Sequence, residues 1–260
     1  MFGEMGVSKL VDYPLVLFVV ALVTLSLAAL AGDFLRKTVR PLKEKEERED
    51  FSTVLSAALT LLALILAFSF SMAITRYDQR KNYEEAEANA IGTEYVRADL
   101  LPASDAAKVR KLLRLYLDQR VLFYRAGDEL QLRQSDADTA KLQAELWSVV
   151  RMGAAALPTP AMALAVSGMN DVLNAQGYTQ AAWWNRIPGS AWSLVAGIAI
   201  CCHLLLGYCA HKTNALLFLT FALIASISIF LIADIDSPRG GAIRVLPQNL
   251  MALSRSLQAE

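Results

Sequence analysis

Glu84, Glu87 and Glu94 stand with Ile91 at i, i+3, i+10 and i+7 of one stretch, so the three carboxylates share a helical face. Two readings suit them. On a single chain they form a solvated face; in a ring of identical subunits one such carboxylate becomes a ring of negative charge, which favours cations. Other reactive sets are few. His203 lies inside an apolar run, where an ionisable side chain is a functional candidate, although a neutral ring bonded to a neighbouring helix is the plainer reading. Neither His203 nor His211 has a His, Cys or carboxylate at i+3 or i+4 to complete a metal pair. Asp234 and Asp236, at the mouth of the last apolar run, could hold a divalent ion through oxygen ligands or cap nearby backbone. There is no G-x-S-x-G, no phosphate-cradling glycine loop and no carboxylate pair in an apolar setting. The expectation is a protein that is not an enzyme and that carries no cofactor and no resident metal.

The element that must position the carboxylates is Thr53–Leu100. Its first part, Thr53 to Ile74, carries no charge and is long enough to cross a bilayer core, roughly 30 Å at 1.5 Å per residue. It passes without Gly or Pro into the charged helix that bears the glutamates. At 100° per residue, Thr53, Ser56, Thr60, Leu64, Ala67, Phe68 and Ser71 fall on one third of the circumference. Leu55, Leu59, Leu61, Leu62, Ile65, Leu66 and Met72 fill the rest. A helix in lipid gains from gathering its hydroxyls only if that side packs on other helices or faces water. The stripe therefore reads either as a small-residue packing face or as a water-lined path with Leu64 and Phe68 as its apolar constriction.

Composition agrees with a membrane protein that has a modest polar part: 55% of the residues are hydrophobic and the formal net charge is zero, so no basic surface argues for nucleic acid. Its partners are expected to be membrane lipid and inorganic ions. Cys201, Cys202 and Cys209 all fall in or beside one apolar run and read as buried thiols, the adjacent pair pointing to different sides of a helix. The first run has no small-residue cleavage signal after it and reads as a retained span.

The pattern predicts an all-α integral membrane protein with four transmembrane helices and a helical domain inserted between the second and third spans. Residues 1–52 hold the first span, from Pro14 to about Ala31, and a charged link broken at Pro41. Residues 53–101 hold the second span and its polar continuation. In the extramembrane domain, 102–190, Ser104 or Asp105 can cap a helix whose stripe is Val109, Leu112, Leu113, Tyr116, Leu117, Arg120 and Tyr124, with Gly127 as its stop. A third helix, about 136–156, uses Leu142, Leu146, Trp147 and Val150, and Thr159 and Pro160 start a fourth that reaches Ala175. Trp183 and Trp184 beside Arg186 suit an interface belt. Residues 191–233 form a transmembrane hairpin joined at His211-Lys212-Thr213, and 234–260 is a tail closing in a weak amphipathic helix. Basic residues near span ends tie. Arg36, Lys37, Arg40, Lys43, Lys45, Arg48 and Lys212 stand on the link side, against Lys9, Arg76, Arg80, Lys81, Arg186, Arg239 and Arg244 on the domain side.

Three motifs follow the second span: Arg76–Arg80 (Arg-Tyr-Asp-Gln-Arg), Glu87–Thr93 (Glu-Ala-Asn-Ala-Ile-Gly-Thr) and Arg97–Pro102 (Arg-Ala-Asp-Leu-Leu-Pro). With Arg76, Tyr77, Asp78, Asn89 and Gly92 as signature positions, the chain resembles the bestrophin-like family of bacterial membrane proteins and, more distantly, bestrophin channels. That resemblance implies a homo-oligomer, a pentamer, in the bacterial inner membrane, with the second span lining a pore and the large domain in the cytoplasm. Aligned on Arg76, the family's ladder of apolar neck residues falls on Thr60, Leu64 and Phe68. Thr60 departs from it by replacing a large apolar residue, and the acidic calcium clasp of animal members is not recognisable. The functional expectation is a passive ion channel with a cation preference. The alternative is a non-conducting sensor or scaffold that acts through the helical domain.

Overall fold

The structure is a computed structural model that describes residues 10–38, 45–210 and 213–258. Pro41 as a helix breaker, Lys9 and the His211-Lys212 turn lie outside the described residues. Helices dominate, and the described residues contain no strand. They are α1 (Pro14–Thr38), α2 (Lys45–Arg97), a 3-10 turn (Ala98–Leu100), α3 (Ala103–Arg125), α4 (Glu129–Ala156), α5 (Pro160–Trp184), α6 (Gly189–Cys209), α7 (Ala215–Asp236) and α8 (Gln248–Gln258). Four are long and apolar enough to cross a membrane: α1, α2, α7 and a stretch within Pro160–Cys209 that holds α6. The chain divides into two compact units, one of 1–77 and 186–244, the other of 78–185 and 245–260. α2 is continuous through the division, and the C-terminal helix is grouped with the second unit.

In the first unit α1 packs along α6 and α7. The approach is close because the residues at the crossing have no side chains to hold the helices apart. A Cβ on Gly207 would lie 1.8 Å from the Ala29 carbonyl oxygen, and one on Gly32 would lie 1.9 Å from that of Leu204. Such small-residue crossings let backbones meet in a bilayer, where the hydrophobic effect does not drive helices together. Leu25, Leu62, Val195, Ala199, Ile229 and Ile232 fill the core around them. α1 runs to Thr38, beyond the expected end at Ala31, because Asp33 near its end is held by Arg36 (2.5 Å), Lys37 (2.6 Å) and the Thr213 hydroxyl (2.7 Å). Cys202 is buried, but Cys201 is exposed, as the 100° step between neighbours requires.

In the second unit the α3 stripe is buried at every expected position, Arg120 included. Ser104 and Asp105 fall inside the first turn rather than at its cap; Pro102 occupies the cap position without a side-chain bond. α4 begins seven residues earlier than expected, at Glu129, because Asp128 accepts from the Gln131 N–H at 2.8 Å. On that helix Val149 is buried, whereas Trp147 is 36% exposed. Thr159 caps α5 at the Met162 N–H, 3.2 Å away, with Pro160 in its first turn. That helix continues past Ala175 and Gly177 to Trp184. Of the two tryptophans, Trp184 is 74% exposed, whereas Trp183 is buried edge-on against Phe123 and Tyr124, with ring centroids 5.0 and 5.3 Å away.

Candidate functional site

The hydroxyl-bearing stripe of α2 is the free face of its span. Thr53, Ser56, Thr60, Ala67 and Ser71 are exposed, and Leu64 and Phe68 are 50% and 61% exposed. Leu62 and Ala73, off this stripe, are buried in the unit's core. The hydroxyls do not reach for other helices. Thr60 donates to the Ser56 carbonyl at 2.9 Å, Ser56 to that of Ser52 and Thr53 to that of Glu49, so each is satisfied one turn back. Thr60, Leu64 and Phe68 thus form an uncharged ladder, one residue per turn, with a polar end and an apolar end. The small-residue packing face of this bundle lies elsewhere, at Gly32 and Gly207.

The three glutamates are in the second unit and none lies on an open face; they are 1%, 0% and 0% exposed at Glu84, Glu87 and Glu94. Glu84 accepts from the backbone N–H of Asn249 (2.9 Å) and Leu250 (3.0 Å) and from Asn249 Nδ2 (2.6 Å), capping the start of α8. Glu87 accepts from Arg120 Nε at 2.5 Å and from the Thr179 hydroxyl at 3.0 Å. Arg120 stacks its guanidinium over Phe123, 4.5 Å from the ring centroid. Burial works against that guanidinium's charge and the Glu87 carboxylate works for it; the balance raises its pKa. Burial, and the Glu87 carboxylate after it, push the Tyr116 and Tyr124 phenols up.

Glu94 differs. Neither of its oxygens has a hydrogen-bond partner among the described residues. Burial pushes its carboxyl up to about 8, against the pull of the Arg97 guanidinium and with the push of Asp171. Gly168 makes the room: a Cβ there would lie 2.0 Å from Glu94 Oε2 and 2.5 Å from Arg97 Nη1.

The sequence motifs are distributed over both units. Tyr77 packs on the span core, Arg76 is half-buried and Asp78 is exposed. Asn89 is exposed beside a cleft of about 300 Å³ with Thr93, Arg97 and Asp171. Gly92 lets α8 approach, since a Cβ there would meet Leu253 at 3.2 Å. A Bestrophin-like domain model matches residues 23–250. The chain belongs to the bestrophin-like family.

Solved structures agree with this bestrophin-like fold. The chain is similar to a bacterial bestrophin homologue from Klebsiella pneumoniae, at 15% identity and a TM-score of 0.64, over 92% of this chain and 95% of that one. It is likewise similar to a point variant of that homologue, at 12% identity and a TM-score of 0.68, over 93% and 98%. At such identity the likeness is one of fold. No curated protein matches.

The acidic end of α7 organises the segment that follows it in this bestrophin-like chain. Asp234 accepts from the N–H groups of Ala242 (2.7 Å) and Ile243 (2.8 Å). Asp236 accepts from the Ile187 N–H at 3.1 Å, with Arg186 Nε 3.8 Å away. Arg186 also pairs with Asp12 at 2.5 Å. Gly241 is needed because a Cβ there would lie 2.2 Å from the Asp234 carbonyl. Among the described residues no cluster of three or more His, Cys, Asp or Glu side chains could hold a metal ion. Reading the sequence identified Glu84 and Glu87 but missed their partners. Arg120, the one charge on the α3 stripe, was the available signal for Glu87; nothing in the sequence pointed from Glu84 to Asn249.

Proposed function

We propose that this bestrophin-like protein is the subunit of a passive ion channel, a homo-pentamer in the bacterial inner membrane with its helical unit in the cytoplasm, in which Thr60, Leu64 and Phe68 line the conduction path. The observation that supports this is the uncovered stripe of α2. The chain's own helices leave its hydroxyl-bearing, small-residue face exposed along the length of the span. Around a symmetry axis, that face meets its own copies. Leu64 and Phe68 then form apolar rings that hold back water and ions until the pore widens, and Thr60 makes a wider, more polar ring.

Glu84, Glu87 and Glu94 enter this reading as residues that hold the helical unit together. Their carboxylates are buried against α8, against Arg120 and beneath Gly168, so the cation preference expected from them loses its basis. Current across a planar bilayer containing the purified protein, under asymmetric salt, tests the proposal. Discrete steps are expected, and their reversal potential gives the sign of the permeant ion. Silence from a verified oligomer would overturn it.

A further inference from the structure

In the second unit Arg110, Lys111 and Arg114 stand at i, i+1 and i+4 of α3, so one face of that helix presents three cations. Like charges one turn apart destabilise a helix, and residues 107–114 include no Asp or Glu to offset them. The three side chains line an open depression of about 650 Å³ together with Tyr95, Ala107 and Leu115.

The depression has a built floor. Tyr95 is 5% exposed, and the guanidiniums of Arg110 and Arg114 both lie over its ring, each 5.4 Å from the centroid. Arg114 Nη2 also donates to the Tyr95 hydroxyl, and Arg110 Nη2 donates to Asp99. These contacts hold the two guanidiniums in place and leave most of the donors on each unused. Lys111 is exposed, and its ammonium has no acceptor among the described residues. Asp99, whose side chain is 68% exposed, is the one carboxylate that pairs with this group among the described residues. Asp118, a turn beyond Arg114, does not line the depression.

Two placed guanidinium forks beside an ammonium match the oxygens of a phosphate, which accept in parallel pairs. A carboxylate ligand would bring a single charge to three cations, whereas a phosphomonoester brings nearly two charges and three strong acceptor oxygens. The volume is that of a small-molecule site and leaves room for more than one phosphate. The rim offers little apolar surface besides Leu115, so the body that carries the phosphate is polar.

We propose that this depression binds a phosphate-bearing anion of the phosphomonoester or diphosphate class, whose oxygens accept from Arg110, Lys111 and Arg114. The site lies in the second unit alone and does not depend on the conduction path.

Isothermal titration calorimetry of the full-length protein in phosphatidylcholine nanodiscs, with sodium pyrophosphate as the probe, tests this. Saturable binding at one site per chain is expected. Arg114→Gln should bind roughly tenfold more weakly, and the double variant Lys111→Gln/Arg114→Gln should lose binding. Both side chains are exposed, so the melting temperature should stay where it is. Lys141→Gln removes an equally exposed charge from α4 and should leave the affinity unchanged. Nanodiscs doped with phosphatidic acid, whose head is a phosphomonoester, separate the two sources of the ligand. Undiminished pyrophosphate affinity there assigns a dissolved phosphate compound. A loss that phosphatidylglycerol at equal charge density does not reproduce assigns a lipid head. No saturable binding to the wild type, unchanged affinity in the double variant, or an equal loss in Lys141→Gln would overturn the proposal. A double variant that binds no differently but forms a smaller oligomer would also overturn it, and would make this face a contact between copies of the chain.

Discussion

Glu87 on α2 and Arg120 on α3 lie 33 residues apart in sequence and 2.5 Å apart in space, both at 0% exposure. A charge pair buried this completely is organised by its surroundings. Thr179 supplies a second donor to the carboxylate, and Phe123 a face for the guanidinium.

Removing one partner leaves an uncompensated buried charge. Glu87→Leu and Arg120→Met should each destabilise the protein by about 3–5 kcal/mol. The double variant should recover much of that loss, because two apolar side chains leave no charge behind. Thermal unfolding followed by circular dichroism at 222 nm reads all three; additive losses in the double variant would refute the pairing.

Glu94 gives a dependence on pH. Its carboxyl is raised in the folded protein from an ordinary 4.5 to about 8. Between those values the unfolded chain has released a proton that the folded chain still holds. Its contribution to stability is therefore fully present below about pH 4.5 and is lost as pH rises through about 8. Glu94→Gln removes that slope. The difference in melting temperature between wild type and variant should change from about pH 5 to about pH 9; parallel profiles would contradict the assignment.

Glycines in this chain differ sharply in what they permit. Gly207→Ala drives a Cβ to 1.8 Å from backbone, so α1 and α6 must separate, at a cost of about 1–3 kcal/mol or more. Gly177→Ala meets nothing within 4 Å and lies inside α5, so it should stabilise by about 1 kcal/mol. Melting temperatures in one detergent should move in opposite directions.

How much of this was legible beforehand divides along physical lines. The α3 stripe was read correctly down to Arg120, because a 3.6-residue period reports which face is inside. The cap at Thr159 follows from residue type, and it forms. Period and type say nothing of what lies opposite. The glutamates were placed on one face correctly, yet that face is buried, and a carboxylate looks the same in sequence whether its partner is water or Arg120. The role of Gly168 could not be seen at all, since it depends on which residue of α2 meets α5. On the second span the order is reversed. The stripe was visible in the sequence, and the structure added that the chain's own helices leave it uncovered.

Glu84 ties α8 to α2 through three hydrogen bonds, two of them from the helix's own N-terminal amides. Glu84→Ala should weaken that attachment by about 1–3 kcal/mol while Leu250 and Leu257 still pack. Limited proteolysis should then cleave near residues 245–258 several-fold faster, and unchanged cleavage would argue against the cap.

The conduction path itself is tested most directly by comparing unitary currents of wild type, Leu64→Ala and Phe68→Ala in planar bilayers, with oligomer size checked in the same preparations. If the two side chains form the apolar constriction, each truncation raises the resting open probability or the current, because a wider, wetter neck no longer excludes ions. Channels whose currents are unaltered by both truncations, with the oligomer intact, would contradict a pore lined by this face of α2.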